Sequence, residues 1–282
     1  MKFSLNTTII KPENNEKVKS AVILLHGYGG DGKDISMLTL NWKRFLKNTV
    51  FLCPDAHEVC SINPIGFQWF DLNNEDPEYT LQESKGAENV LNGYISEVSN
   101  YFNLEYSQIC VSGFSQGCMM SLNVGLTSEK EFSCIVGFSG RIINMKDLSP
   151  RIKNKTNILM IHGENDPIVP PSNLLEAEDF FIRNKIKIET LMIKNCDHHI
   201  PMEASSAALN FIKKNIIYFY LSNETLKRSN FRLLKLNQIV NLEKSLTFGD
   251  NVSGHFTQGH VDTVAKIKKI TFIDKTLSLI HI

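Results

Sequence analysis

Three residue types placed far apart in the chain have the makings of nucleophilic acyl transfer. They are Ser115 in Gly113-Phe114-Ser115-Gln116-Gly117, Asp166 in His162-Gly163-Glu164-Asn165-Asp166-Pro167, and His198 in Asn195-Cys196-Asp197-His198-His199-Ile200-Pro201. A serine hydroxyl is a poor nucleophile until a neutral imidazole takes its proton, and the imidazole needs a carboxylate to fix its tautomer and stabilise its charged form. Ser115, His198 and Asp166 supply these parts. The tetrahedral oxyanion asks for two preorganised N–H donors, one from the residue after the nucleophile and one from an early glycine-rich loop. These fall on Gln116 and on Tyr28 in His26-Gly27-Tyr28-Gly29-Gly30-Asp31-Gly32. Chemistry of this kind requires no metal and no organic cofactor. His26 and His162 are weaker candidates for the base because glycines flank them, and His57 has no strand-end setting.

Each of these residues needs an element to hold it. The segment 109–111 is β-branched and apolar and runs through Gly-x-Ser-x-Gly into a helix-forming stretch, 118–126. That is strand, tight turn, helix, and a turn so sharp requires positions without a Cβ at Gly113 and Gly117. The apolar run 21–25 reads as a strand buried on both faces and empties into the loop with four glycines in six residues, 27–32. A phosphate loop fits this stretch poorly, because Gly32-Lys33 is followed by Asp34 and not by Ser or Thr. Strands at 157–161 and at 187–193 end just before Asp166 and His198. Further strands are expected at 49–53 and 134–138, and helices from a cap at Asp34 to about 46, at 84–102, 174–184 and 203–215. Strands alternating with helices predict an α/β fold, a mostly parallel sheet flanked by helices, with ligands gathered at the carboxyl ends of the strands. The segment 54–78 reads as loop, and its Gln68-Trp69-Phe70-Asp71 is either a hydrophobic plug or one wall of a substrate pocket. The 48 residues between Gly117 and Asp166 are filled by these elements, so no lid domain is expected there and the site should be open.

Composition excludes other classes. The 282 residues are 42% hydrophobic with a net charge of +0, so the chain buries a full core and nothing in its bulk electrostatics attracts nucleic acid or an anionic membrane. Apolar runs fall far short of the roughly 20 residues a membrane span needs and the N-terminus lacks a signal-peptide core, which together predict a cytoplasmic protein with no membrane span. Six cysteines lie scattered without CxxC spacing, which indicates neither a disulfide framework nor a zinc site. Cys118, three residues from Ser115, is expected to pack as a small hydrophobe. Oligomeric state is not legible.

Taken together, Leu25-His26-Gly27-Tyr28-Gly29-Gly30, Gln68-Trp69-Phe70-Asp71, Gly113-Phe114-Ser115-Gln116-Gly117, His162 through Pro170 and His198-His199-Ile200 resemble the phospholipase/carboxylesterase family of small α/β-hydrolases, which includes acyl-protein thioesterases. The resemblance covers about residues 1–216. It implies an α/β-hydrolase fold and a serine hydrolase that cleaves small-molecule carboxylic esters or thioesters through an acyl-enzyme. The family's nucleophile falls on Ser115, its acid on Asp166, its base on His198 and its oxyanion donors on Tyr28 and Gln116. One position departs: Asp197 stands where such proteins carry Gly, and His199 offers a second imidazole. A carboxylate there would be able to pull the ring toward the wrong partner. His198 is preferred because it alone keeps the spacing to Ile200.

Residues 217–282 form a second region. They carry 9 Lys/Arg against 5 Asp/Glu, where the residues before them carry 21 against 25, and the strand–helix alternation stops. Here 223–230, 240–244, Phe248-Gly249-Asp250 and the run 254–262 are similar to riboflavin synthase, over about 217–270. The resemblance spans the end of one lumazine-binding barrel and the start of the next, which implies a C-terminal partial β segment, with His260 at a family active-site position. A flavin-type binding module, or an inactive remnant, is the alternative function.

Overall fold

The computed structural model describes residues 3–13, 16–74, 76–216, 223–234, 238, 267–273 and 276–281. The chain divides into two units, Met1–Ile217 and Tyr218–Ile282. In chain order the first unit runs β1 (Thr7–Ile10), β2 (Ser20–Leu25), α1 (Gly32–Ile35), α2 (Thr39–Trp42), β3 (Thr49–Pro54), β4 (Glu58–Val59) and β5 (Phe67–Gln68). It continues through α3 (Pro77–Phe102), β6 (Ile109–Phe114), α4 (Gln116–Thr127), β7 (Cys134–Phe138), α5 (Met145–Arg151), β8 (Ile158–Gly163), α6 (Ser172–Arg183), β9 (Ile188–Ile193) and α7 (Met202–Asn215).

A run of apolar residues without polar alternation has no face to offer water, so such strands settle in the middle of a sheet covered on both sides. The seven-stranded sheet has the order β1-β3-β2-β6-β7-β8-β9; β1 is antiparallel to β3 and every other pairing is parallel. Side chains on β2 alternate between two cores. Ala21, Ile23 and Leu25 pack with Ala87, Leu91, Tyr94, Ile95 and Val98 of α3 and with Met119, Met120 and Val124 of α4. Val22 and Leu24 point the other way, into a cluster with Trp42 and with Ala204, Ala208, Leu209 and Ile212 of α7. Each large side chain so enclosed contributes about 1.5–3 kcal/mol relative to exposure. The spacing of the α3 residues traces one helical face. The Asp76 side chain caps α3 by accepting from Glu78 N at 3.0 Å, and the helix ends at Asn103 in the left-handed region, φ 51°.

Three local expectations are corrected, and two elements appear that the sequence did not announce. The stretch 34–46 is not one helix capped by Asp34: Asp31 is the cap, accepting from Asp34 N, and α1 and α2 are single turns joined by a 3₁₀ turn, Ser36–Leu38. Helix α3 begins at Pro77, not at 84, because Asp-x-x-x with Pro at the first helical position is itself a start signal. The loop 54–78 contains the β4–β5 hairpin, and Thr7–Ile10, which no apolar run announces, is an edge strand. Helix α5, capped by Asn144, had no apolar stripe to announce it.

The second unit contains α8 (Asn223–Arg228), a 3₁₀ turn at Asn230–Leu233, and β10 (Ile267–Ile273) paired antiparallel with β11 (Thr276–His281). His260 and the run 248–262, on which the riboflavin synthase resemblance chiefly rests, lie outside the described residues. Among the described residues no helix is long and apolar enough to cross a membrane.

Candidate active site

Ser115 sits on the turn between β6 and α4 with φ 53° and ψ −114°, a conformation that holds about 1–3 kcal/mol of strain in a non-glycine residue. The crowding that demands small neighbours is visible at both flanking glycines. A Cβ on Gly113 would lie 2.2 Å from the Gly117 carbonyl, and one on Gly117 would lie 2.2 Å from Leu25 O. Strand β7 holds the turn from the side, where Phe138 O accepts from Ser115 N at 2.8 Å.

Strands β8 and β9 deliver the other two groups. His198 Nε2 is 3.0 Å from Ser115 Oγ, and His198 Nδ1 is 2.7 Å from Asp166 Oδ2. The carboxylate can only accept, so Nδ1 carries the proton and the Nε2 lone pair faces the serine hydroxyl. Asp166 is buried, and its other oxygen accepts from Ile168 N and Val169 N at 2.9 Å each. Burial pushes the Asp166 carboxyl up, but the His198 hydrogen bond and the two amides outweigh it and hold the group below the ordinary carboxylate range. His162, from the end of β8, donates through Nε2 to Val169 O at 2.8 Å and lies 3.4 Å from Asp166 Oδ2, so it braces the acid loop from beneath.

The departure at Asp197 is resolved by its partner. Asp197 hydrogen-bonds His199 Nδ1 at the surface, while His198 turns inward to Asp166. The chain bends here, with His199 N donating to Asp197 O at 2.9 Å, and the turn brings the extra carboxylate and the extra imidazole together so that they satisfy each other.

Gln116 is the first residue of α4, where the N–H has no intrahelical acceptor, and Tyr28 stands in the glycine loop between β2 and α1. Less expected is the work of the Gln116 side chain. Its Oε1 accepts from Trp69 N at 2.9 Å and its Nε2 donates to Phe70 O at 2.6 Å. Trp69 in turn donates from Nε1 to His26 O at 3.0 Å and stacks on the His26 ring. His26 accepts from Ala56 N through Nε2 and donates from Nδ1 to Gly27 O, and burial pulls its pKa down, more than the Gly27 hydrogen bond restores. Trp69 and Phe70 are fully buried, which decides the Gln68–Asp71 segment as a plug under the glycine loop. A fixed neutral His26 was legible only as a histidine wedged between a buried strand and a glycine. The Tyr28 hydroxyl, 2.7 Å from Ser61 Oγ, ties the outer part of the loop to the residues after β4. Cys118 is enclosed in the core and burial pushes its thiol up to about 12, so it packs as expected and is not a nucleophile at neutral pH.

On the His198 side an open cleft of about 500 Å³ lies between residues 34–41 and the start of α7. Phe114, whose ring centroid is 4.8 Å from that of His198, lines its inner end together with Gly27.

A sheet of this order, with a serine turn after β6 and an acid and a histidine after β8 and β9, defines an α/β-hydrolase. The family model of the phospholipase/carboxylesterases matches residues 6–216, and the chain belongs to that family. Acyl-protein thioesterase 1 of Schizosaccharomyces pombe is 28% identical over 203 residues, 68% of this chain and 87% of that protein. The protein of the same name from Saccharomyces cerevisiae is 27% identical over 218 residues, 71% and 95% of the two chains. Among solved structures, esterase PE8 is 31% identical with a TM-score of 0.71, covering 74% of this chain and 98% of its own. The Bacillus cereus carboxylesterase, 16% identical with a TM-score of 0.62 over 75% and 95% of the chains, shares the fold. The chain is thus a hydrolase of the serine carboxylesterase/thioesterase type.

Proposed function

We propose that Ser115, His198 and Asp166 form the catalytic triad of this hydrolase and that it cleaves carboxylic esters or thioesters of small molecules through an acyl-enzyme. The observation that carries the reading is the pair of contacts made by one ring, His198 to Ser115 Oγ at 3.0 Å and to Asp166 Oδ2 at 2.7 Å. In acylation, Ser115 Oγ bonds to the substrate carbonyl carbon as its proton passes to His198 Nε2. The oxyanion takes hydrogen bonds from the Gln116 and Tyr28 amides, which the Gln116 side chain, Trp69 and His26 hold in place. His198 then hands the proton to the departing alkoxide or thiolate as the carbon–oxygen or carbon–sulfur bond breaks. Water repeats the sequence in reverse, and the free acid leaves. Asp166, ionised at neutral pH, stabilises the imidazolium in both halves.

Thioesters are included because the matched relatives bear the name acyl-protein thioesterase. The catalytic body is residues 1–216, and 217–282 takes no part in the reaction; the lumazine-type reading of that segment rests on sequence resemblance alone. Ser115→Ala is expected to lose at least ~10³-fold in kcat, leaving only residual catalysis. Turnover near the wild-type value in that variant would refute the assignment.

A further inference from the structure

We propose that the cleft beside His198 receives the leaving group of the substrate, and that it selects alcohols and thiols with an alkyl or aryl body. The inference rests on the triad assignment above. In that mechanism His198 Nε2 must reach the departing oxygen or sulfur as well as Ser115 Oγ, so the leaving group projects on the imidazole side of the tetrahedral carbon. That is where the cleft opens. His198 lines it, as does Gly27, whose Cβ position would be 3.3 Å from Ser115 Cβ, so the cavity starts next to the nucleophile.

Its lining surface is mainly apolar, with Asp34, Asn41 and Ser205 among the polar groups that interrupt it. Phe114 closes the inner end, Ile35 and Leu38 form one side, and Ile200 and Met202 form the other. The Met202 side chain is largely exposed at the rim, and its sulfur accepts from Asn41 Nδ2 at 3.6 Å, which joins the two walls. A volume of about 500 Å³ falls in the range that encloses a small organic group. Unbranched thioethers at a rim adapt to different shapes.

The chemistry supplies a clean separation. Esters of one acid all give the same acyl-enzyme, so a leaving-group preference appears in kcat/KM, which reports acylation, and not in the deacylation rate. Each buried methylene is worth about fourfold, so two already give about 15-fold. The test compares methyl, butyl and octyl butyrates with methyl butyrate and methyl octanoate, all as monomers in solution, for the wild type and for Met202→Trp and Leu38→Trp. The octyl-to-methyl ratio of kcat/KM for butyrates is expected to exceed about tenfold in the wild type and to fall at least about tenfold in both variants. The ratio of methyl octanoate to methyl butyrate should move by less than about threefold. A second measurement needs no variant: with the acyl-enzyme formed from methyl butyrate, added 1-octanol should capture the butyryl group as octyl butyrate more efficiently per mole than methanol does. If the tryptophans change the acyl ratio and not the alcohol ratio, or octanol gains nothing over methanol, the cleft is not the leaving-group site, while labelling of Ser115 by a fluorophosphonate leaves the triad standing. If Ser115→Ala retains turnover, both assignments fall together.

Discussion

Replacing Asp166 by Asn changes one atom, and the structure dictates how the new amide must sit. In the wild type, Oδ1 accepts from Ile168 N and Val169 N at 2.9 Å each, and Oδ2 accepts from His198 Nδ1 at 2.7 Å. Two backbone donors pin an oxygen at the first position, so the amide NH₂ is forced to face His198. A donor there requires a lone pair on Nδ1, and the ring's proton moves to Nε2, the nitrogen 3.0 Å from Ser115 Oγ. The imidazole can then no longer accept the serine proton. The expected fall in kcat is about 10³–10⁴-fold, or about 4–5.5 kcal/mol in the barrier, with the overall geometry little changed. Steady-state hydrolysis of a soluble ester gives kcat, and denaturant unfolding gives stability across pH. Because the folded Asp166 carboxyl is held below its ordinary range, its contribution to stability is complete above that range and disappears as pH falls through the lowered value. The stability gap between wild type and Asp166→Asn should therefore be flat from neutrality to about pH 5 and close only below the ordinary carboxylate value of about 3.9. Retention of kcat within about tenfold, or a gap that closes near neutrality, would refute the tautomer argument.

The remaining expectations concern the supports. Asp197→Gly should leave kcat/KM within about threefold, a barrier change below about 0.7 kcal/mol, because Asp197 pairs with His199 and not with the base; a larger change means that Asp197 acts on His198 after all. Gln116→Leu strips partners from the buried Trp69 N–H and Phe70 carbonyl, and at about 1–3 kcal/mol per orphaned group it should lower stability by about 2–6 kcal/mol and reduce kcat more than it raises KM. Unfolding curves and initial rates for this variant check both parts. Truncation after Asn215 should keep esterase kcat/KM within about threefold, and aggregation or loss of activity would show that the second unit supports the first.

Much of this arrangement was legible because chemistry and topology coincide at strand ends. Ser115, Asp166 and His198 each follow an apolar run, and those runs form parallel strands, β6 and β8 inside the sheet and β9 at its edge. Partners were harder to read than positions. Nothing in Asp197-His198-His199 says which imidazole turns inward; that is decided by the direction of the chain leaving β9. Trp69 left plug and wall equally open, since both place an aromatic near a glycine loop, and only its complete burial and its bond to His26 O separate them. Thr7–Ile10 escaped notice because an edge strand of two threonines and two isoleucines, partly exposed throughout, has neither an unbroken apolar run nor strict alternation. Helices α1 and α2 read as one because the turn that breaks them, Ser36–Leu38, contains neither Gly nor Pro.

The central claim, that Ser115 is the nucleophile, is tested most directly by treating the full-length protein with a fluorophosphonate ester and mapping the adduct by mass spectrometry. One adduct per chain is expected, on Ser115, formed at a rate that falls with the loss of hydrolysis and is reduced at least about 10²-fold in His198→Ala, since the hydroxyl then has no base. An adduct on any other residue, or full hydrolytic activity with Ser115 blocked, would contradict the account.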